Sequence, residues 1–368
     1  MTVNRSATVK YRMAFVIRLV VVVVALVMAA APIPRSLVES AYSRGVYPIV
    51  RQVVSGLSSL TSVVLFDVLL IGGSLTLILW WGAVLMRAPR GRRIGALGSV
   101  VGHAAVVTAS LYLVFLAVWG LNYRREALAL RLEFSEGWVT PAVVEALAET
   151  AITKLNDAFE ITPDQAWPQL VELPTTLGPA FVQVQRELEV APVLPGLAPR
   201  RSLLTPYFQR AGIDGMVDPF SLQVLVNDAV LPFERPFVVA HEWAHVAGFA
   251  HEAEANFVAW LTCMSGEERM QYSGWFYLVP RLLAPLSRDV QIRLWDTVAP
   301  GPMADFNAVR VRLSHTIPAV RQGARRLNDQ YLRANRVSSG IASYDEVLQL
   351  AVGTSLGRRQ WPVSTAFE

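Results

Sequence analysis

The chain has one cysteine, Cys263, so it can form neither an internal disulfide nor a metal site built from several cysteines. Lysine is almost missing too: only Lys10 and Lys154 stand among 33 basic residues. Charge of any sign is scarce, at 17% of residues against about 25% in an ordinary soluble domain. A disordered chain needs far more charge than this, so disorder is excluded. The net charge of +4 and pI of 9.4 come from scattered arginines, with no basic run interleaved with aromatics. Nucleic acid is therefore not an expected partner.

Apolar residues fill the space that charge leaves, at 53% of the chain with a mean hydropathy of +0.38. Three stretches, 13–34, 57–86 and 94–121, are each long enough to cross a bilayer, which takes about 20 apolar residues. The lipid bilayer is thus the first expected partner. Arg5, Lys10 and Arg12 precede the first stretch and Ala29, Ala30 and Ala31 close it, a pattern that also fits a cleaved signal peptide. Pro32, directly after the small residues, argues against cleavage. Asp67 and His103 lie in the second and third stretches; ionisable groups are costly there, and the two are expected to pair across the helices. Arg87, Arg90, Arg92 and Arg93 crowd the short second loop, while the longer first loop carries Arg35, Arg44 and Arg51 with Glu39. The positive-inside bias then places the short loop and the N-terminus in the cytoplasm and everything after Leu121 outside.

Residues 122–368 contain no further spanning run, because Pro280, Arg281 and Pro285 break the apolar segment 275–286. Thr140-Pro141 reads as an N-cap followed by proline in the first turn of a helix that runs to about Phe159. A second helix is expected over 177–189, then a turn-rich linker with Pro192, Pro195, Gly196 and Pro199. Ser221 to Asn227 is the clearest strand, either an ordinary core strand or the edge strand on which a substrate backbone would lie. Further helices are expected near 287–299, 304–335 and 343–353, with Arg321, Arg325, Arg326 and Arg333 forming a solvated face.

Three of the five histidines fall between residues 241 and 251. His241, Glu242 and His245 spell HExxH, and on a helix positions i and i+4 share one face. Both imidazoles can then reach one ion, with Glu242 beside the open coordination position. Zinc held by three protein ligands keeps a fourth position for water and lowers that water's pKa to about 7. Glu242 is the expected general base. The third ligand has three candidates. His251 completes HExxHxxGxxH, with Gly248 as the turn. Glu252 would open a second helix whose small face, with Asn256, Ala259 and Cys263, can approach the first. Glu254 points about 160° away from Glu252 on such a helix. Tyr272 and Tyr207 are possible donors to an oxyanion, though tyrosines of this kind more often pack.

The run HEWAHVAGFAHEAEANF resembles the signature of an uncharacterised bacterial family, the domain-of-unknown-function 3810 proteins. Matching pieces follow in order: Trp119-Gly-Leu-Asn-Tyr123, Asp218-Pro-Phe220, Val226-Asn227, Tyr272-Ser-Gly274, Leu327 to Asn335, and Ser343-Tyr344. The resemblance implies three N-terminal membrane helices and a zincin-like domain. It also implies metal ligands at His241, His245 and an acidic third position, with Glu252, Ala255 and Asn256 in the gluzincin ExxAN pattern. The family usually carries an acidic residue where this chain has Gln223.

The expected protein is thus mainly α: a membrane domain over 1–121, then an α+β, gluzincin-type extracytoplasmic domain over 122–368. Its expected activity is that of a zinc-dependent metallopeptidase of the bacterial inner membrane, acting on a peptide or protein of the cell envelope. The alternative is a noncatalytic metal-binding sensor or scaffold.

Overall fold

A computed structural model describes residues 5–161, 166–191, 197–338, 340 and 346–361, with side chains from residue 12 onward. Among them, three helices are long and apolar enough to cross a membrane: Arg12–Ala30, Leu65–Arg87 and Arg90–Val118. The first ends just before Pro32 and Pro34, where a helix would lose its backbone donors.

The second begins eight residues later than the apolar run suggests. Leu57 belongs to a separate helix, Tyr47–Ser59, and a turn at 60–64 precedes the span. Gln223 fastens that turn: its Oε1 accepts from the Leu65 backbone N–H (2.8 Å), and its Nε2 donates to the carbonyls of Val63 (3.1 Å) and Ser58 (3.4 Å). The turn is as apolar as the span, so hydropathy cannot mark the break. A carboxylate at position 223 could accept from Leu65 but could not supply the two donors.

Asp67 and His103 do not pair. Asp67 is the third residue of its span and accepts from the Ser202 hydroxyl (2.5 Å) and the Leu203 N–H (2.8 Å), clasping the span to the following domain. His103 Nδ1 instead takes the Trp81 indole N–H at 3.1 Å. The expected pairing fails because Asp67 lies at the end of its helix, where polar groups outside the span reach it first.

Beyond the spans the chain is mostly helical. Pro141–Ile161 starts where expected, with the Thr140 hydroxyl accepting from the Val143 N–H (3.3 Å), and it packs along Glu268–Leu283, which absorbs Pro280 in its last turn. Gly178–Glu187 and Arg288–Trp295 fall within expected helices. The stretch 304–335 is two helices, Pro300–Ser314 and Pro318–Ala334. Pro318 forces Ile317 into extended geometry (ψ 115°) and so interrupts the run. The prolines at 192 and 195, Gly196 and the Ser343-Tyr344 pair lie outside the described residues, while Val347–Gly353 is helical.

The sheet is small. Gly215–Val217 (β1) pairs antiparallel with Val224–Val226 (β2), Gly215 opposite Val226. A parallel bridge from Arg200 to Leu225 occupies the other side of β2. Thus β2 is a core strand, and the edge is β1.

Candidate metal centre

The HExxH motif lies on the helix Arg235–Val246. Pro236 costs nothing in the first turn, where its N–H would have no partner in the helix. The Phe237 N–H is satisfied by Ser273 Oγ at 3.1 Å. Phe237, Val239, Ala240, Trp243, Ala244 and Val246 are all buried, so the helix is apolar on nearly every side and runs through the core. His241 and His245, one turn apart, bring their rings to 4.6 Å at 85°.

Gly248 then turns the chain at φ +95°, a conformation a side chain would strain, and Glu252 becomes the first residue of the helix Glu252–Met264. Its Oε2 stands 3.3 Å from His241 Nε2 and 3.5 Å from His245 Nε2. The ligand-type atoms of these three residues all lie within 4.8 Å of one another. Donors bonded to a tetrahedral ion at about 2.0–2.1 Å sit about 3.3 Å apart, so the two measured separations fit such an ion. Glu252 Oε2 is buried without a hydrogen-bond partner, which a cation would correct. His245 Nδ1 is 2.8 Å from the Phe249 carbonyl, to which it donates, so in the neutral ring Nε2 is the nitrogen left to face a cation. Asn256, one turn beyond Glu252, is a hydrogen-bonding neighbour of His241.

The other two candidates are elsewhere. His251 Nε2 faces the Tyr123 carbonyl at 3.3 Å, and Glu254 accepts the Leu128 N–H at 2.6 Å. The structure therefore gathers Glu252, not His251 or Glu254, with the two histidines. Tyr272 is also apart: its hydroxyl donates to Asp305 (2.6 Å) and its ring packs on Phe233 and Phe276. Tyr207 lies on the short helix Thr205–Ala211, half exposed.

Glu242 points to another neighbour. It is 4% exposed and its Oε2 has no hydrogen-bond partner. Strand β1 crosses it so closely that a Cβ added to Gly215 would lie 2.7 Å from Glu242 Oε1. Burial, joined by the charges of Glu252 and Asp214, pushes the Glu242 carboxyl up to about 8, against the pull of His245. Burial disfavours charge on His245 as well, yet Glu252 beside it outweighs this and raises the imidazole to about 9. For Glu252 the same burial is overcome by His245 and His241, which hold it well below the usual carboxylate range. His241 is lowered, mainly by burial.

The C-terminal end of the HExxH helix shows what the sequence did not. Four successive carbonyls there each accept a side-chain donor from the membrane-proximal segments. Trp119 Nε1 donates to His245 O (2.9 Å), the Tyr47 hydroxyl to Val246 O (2.7 Å), Arg51 to Ala247 O (3.5 Å) and Arg125 to Gly248 O (3.0 Å). His245 O also takes the Gly248 N–H (3.0 Å), while the carbonyls of Val246, Ala247 and Gly248 follow where the helix no longer supplies donors, and a buried end needs such partners. Arg125 is itself held by two 2.8 Å bonds to Glu39, which Arg44 (3.1 Å) and Arg131 (3.4 Å) also approach. The one sequence signal was the Trp119 to Tyr123 motif, which does not reveal its target.

Fold and cluster together define a mostly helical membrane protein with a two-histidine, one-carboxylate cluster fitted to a cation. The chain belongs to the family described as protein of unknown function (DUF3810), whose model matches residues 42–352. No curated protein and no solved structure matches the chain.

Proposed function

We propose that this protein is a membrane-anchored, zinc-dependent metallopeptidase of the zincin kind, with its site on the extracytoplasmic side of the bacterial inner membrane. The observation that carries the reading is the convergence of His241, His245 and Glu252 beside a buried Glu242 with a free carboxylate oxygen. His241, His245 and Glu252 would hold the ion. When bound, zinc supplies Lewis acidity toward water and a peptide carbonyl. Glu242 takes up the proton that water loses and hands it to the leaving amine. Burial suits it to that task, since a carboxyl raised toward neutrality both accepts and releases a proton near pH 7. A bound cation would draw that value down again. The free edge of β1, which passes Glu242 at Gly215, is where an extended substrate backbone would add as a strand.

The placement rests on topology. The end of the first span, the start of the second and the end of the third all meet the following domain: Arg336 donates to Ala29 O and Ala31 O, Ser202 to Asp67, and Trp119 to His245 O. The loop bearing Arg87, Arg90, Arg92 and Arg93 joins the opposite ends of the second and third spans, so the domain faces away from the positive side. A reporter fused after Glu368 should be active only outside the cytoplasm; activity inside would reverse the orientation.

Metal analysis of purified wild type, His241→Ala and Glu242→Gln, with peptide hydrolysis measured in parallel, tests the chemistry. About one zinc per chain is expected in wild type and Glu242→Gln and little in His241→Ala, with hydrolysis in wild type alone. Zinc bound without hydrolysis, and a biological function that survives Glu242→Gln, would establish a metal-binding sensor or scaffold instead.

A further inference from the structure

The helix Tyr47–Ser59, between the first and second spans, has its polarity reversed. Its buried stripe is Tyr47, Arg51 and Ser58, which fall within about 40° of arc at 100° per residue. Tyr47 and Arg51 spend their polar atoms on Val246 O, Ala247 O and Ala191 O (2.8 Å), and the Ser58 carbonyl accepts from Arg200 (3.1 Å). The opposite arc, about 80° wide, carries Ile49, Val53, Leu57 and the following Leu60. Ile49 is 66% exposed, Leu57 64% and Leu60 82%. No charged residue occurs from Gln52 to Phe66. A soluble helix buries its apolar face and solvates its charge; here the only charged residue, Arg51, is inside, and Ile49, Val53 and Leu57 are outside, while Val54 packs against the core.

Position names the occupant of that outer face. The helix packs against the third span and leads through the turn at 60–64 directly into the second. Its exposed face is thus continuous with surfaces that meet acyl chains. Leu203, 75% exposed, lies next to Ser202, the residue that clasps Asp67 at the start of the second span.

We infer that Tyr47–Ser59 is an interfacial helix whose outer face, Ile49, Val53, Leu57 and Leu60, rests in the bilayer leaflet on the side of the metal cluster. Its inner face holds the C-terminal carbonyls of the HExxH helix, so it sets the cluster at a fixed depth beside the lipid surface. The inference is independent of the peptidase reading.

The chain's single, fully buried Cys263 makes the test direct. In a Cys263→Ala background, single cysteines at Ile49, Val53, Leu57, at Leu79 within the second span, and at the exposed Asp157 are spin-labelled and reconstituted into phosphatidylcholine nanodiscs. Collision with oxygen, which partitions into lipid, is compared with collision with a water-soluble nickel chelate. The oxygen-to-nickel ratio at 49, 53 and 57 should be several-fold above that at 157 and approach that at 79. Ratios at 49, 53 and 57 equal to that at 157 would overturn the inference. Exclusion of both reagents, with spin–spin broadening between labels, would overturn it in favour of a second copy covering the face.

Discussion

Glu39 anchors the support of the His241, His245 and Glu252 cluster, and Glu39→Gln is the perturbation whose size the structure sets most clearly. Its side chain is 6% exposed and meets Arg125 (3% exposed) and Arg131 (12%). Arg125 in turn caps Gly248 O, at the turn that brings Glu252 to the histidines. Glutamine keeps the shape but leaves two buried guanidiniums without their counter-charge. Breaking a buried pair in this way costs about 3–5 kcal/mol, against about 0–1 kcal/mol for a surface pair. The pH dependence gives a second check. Burial alone would raise the Glu39 carboxyl, but Arg125, Arg44 and Arg131 together lower it below its usual 4.5. A depressed folded-state pKa contributes stability that is complete above the unfolded value and is lost as pH falls through the folded one. The wild-type advantage over Glu39→Gln should therefore be constant from neutrality down to about pH 5 and shrink only below that. Unfolding in detergent, followed by heat and by protease susceptibility for both proteins across pH 3–8, measures it. A difference under about 1 kcal/mol at pH 7, or one that persists unchanged at pH 3, would refute the assignment of Glu39 as a buried counter-charge.

Two glycine substitutions probe the geometry of the cluster. Gly248→Ala sets a Cβ at φ +95°, 3.0 Å from the Tyr47 ring and 3.3 Å from Asn122 Oδ1. It should cost more than about 1 kcal/mol and weaken metal binding through Glu252, read by thermal unfolding and zinc titration; unchanged zinc affinity would contradict the role given to the turn. Gly215→Ala drives a methyl to within 2.7 Å of Glu242 Oε1 and 3.1 Å of Leu225 O, so strand or carboxylate must move. Hydrolysis should fall while zinc content stays at the wild-type level, and full activity in this variant would detach β1 from the site.

The parts legible in the sequence are those whose information is local. Three apolar runs, the Thr140-Pro141 start and the i, i+4 histidines each depend on neighbours a few residues away, and each has its structural counterpart. The errors arise where a local signal is silent or ambiguous. The turn at 60–64 is as apolar as the span it precedes, so 57–86 reads as one run. Asp67 and His103 share a membrane setting by composition, but helix position decides their partners. The strand expected over 221–227 is shorter, Val224–Val226, because Leu222 turns the chain at φ +55°, and whether it is edge or core depends on Arg200, about two dozen residues upstream.

The least legible feature carries the most structure. Donors separated from the HExxH helix by 199, 196, 126 and 123 residues meet four consecutive carbonyls of its end. None of Tyr47, Arg51, Trp119 and Arg125 belongs to a motif that names a carbonyl as its target. Hydropathy divides the chain at residue 121, but three of these bonds, from Tyr47, Arg51 and Trp119, cross that line, and the fourth starts from Arg125 just beyond it. A buried helix end with bare carbonyls would be costly, so the membrane-proximal residues are part of what makes the HExxH helix stable where it is. The same donors explain why a helix so apolar can stop abruptly at Val246, one residue past His245, and still deliver Glu252 to a point 3.3 Å from His241. The position of Glu252 is thus set from the membrane-proximal segments, of which Trp119 also packs edge-on against the His245 ring (centroids 6.0 Å).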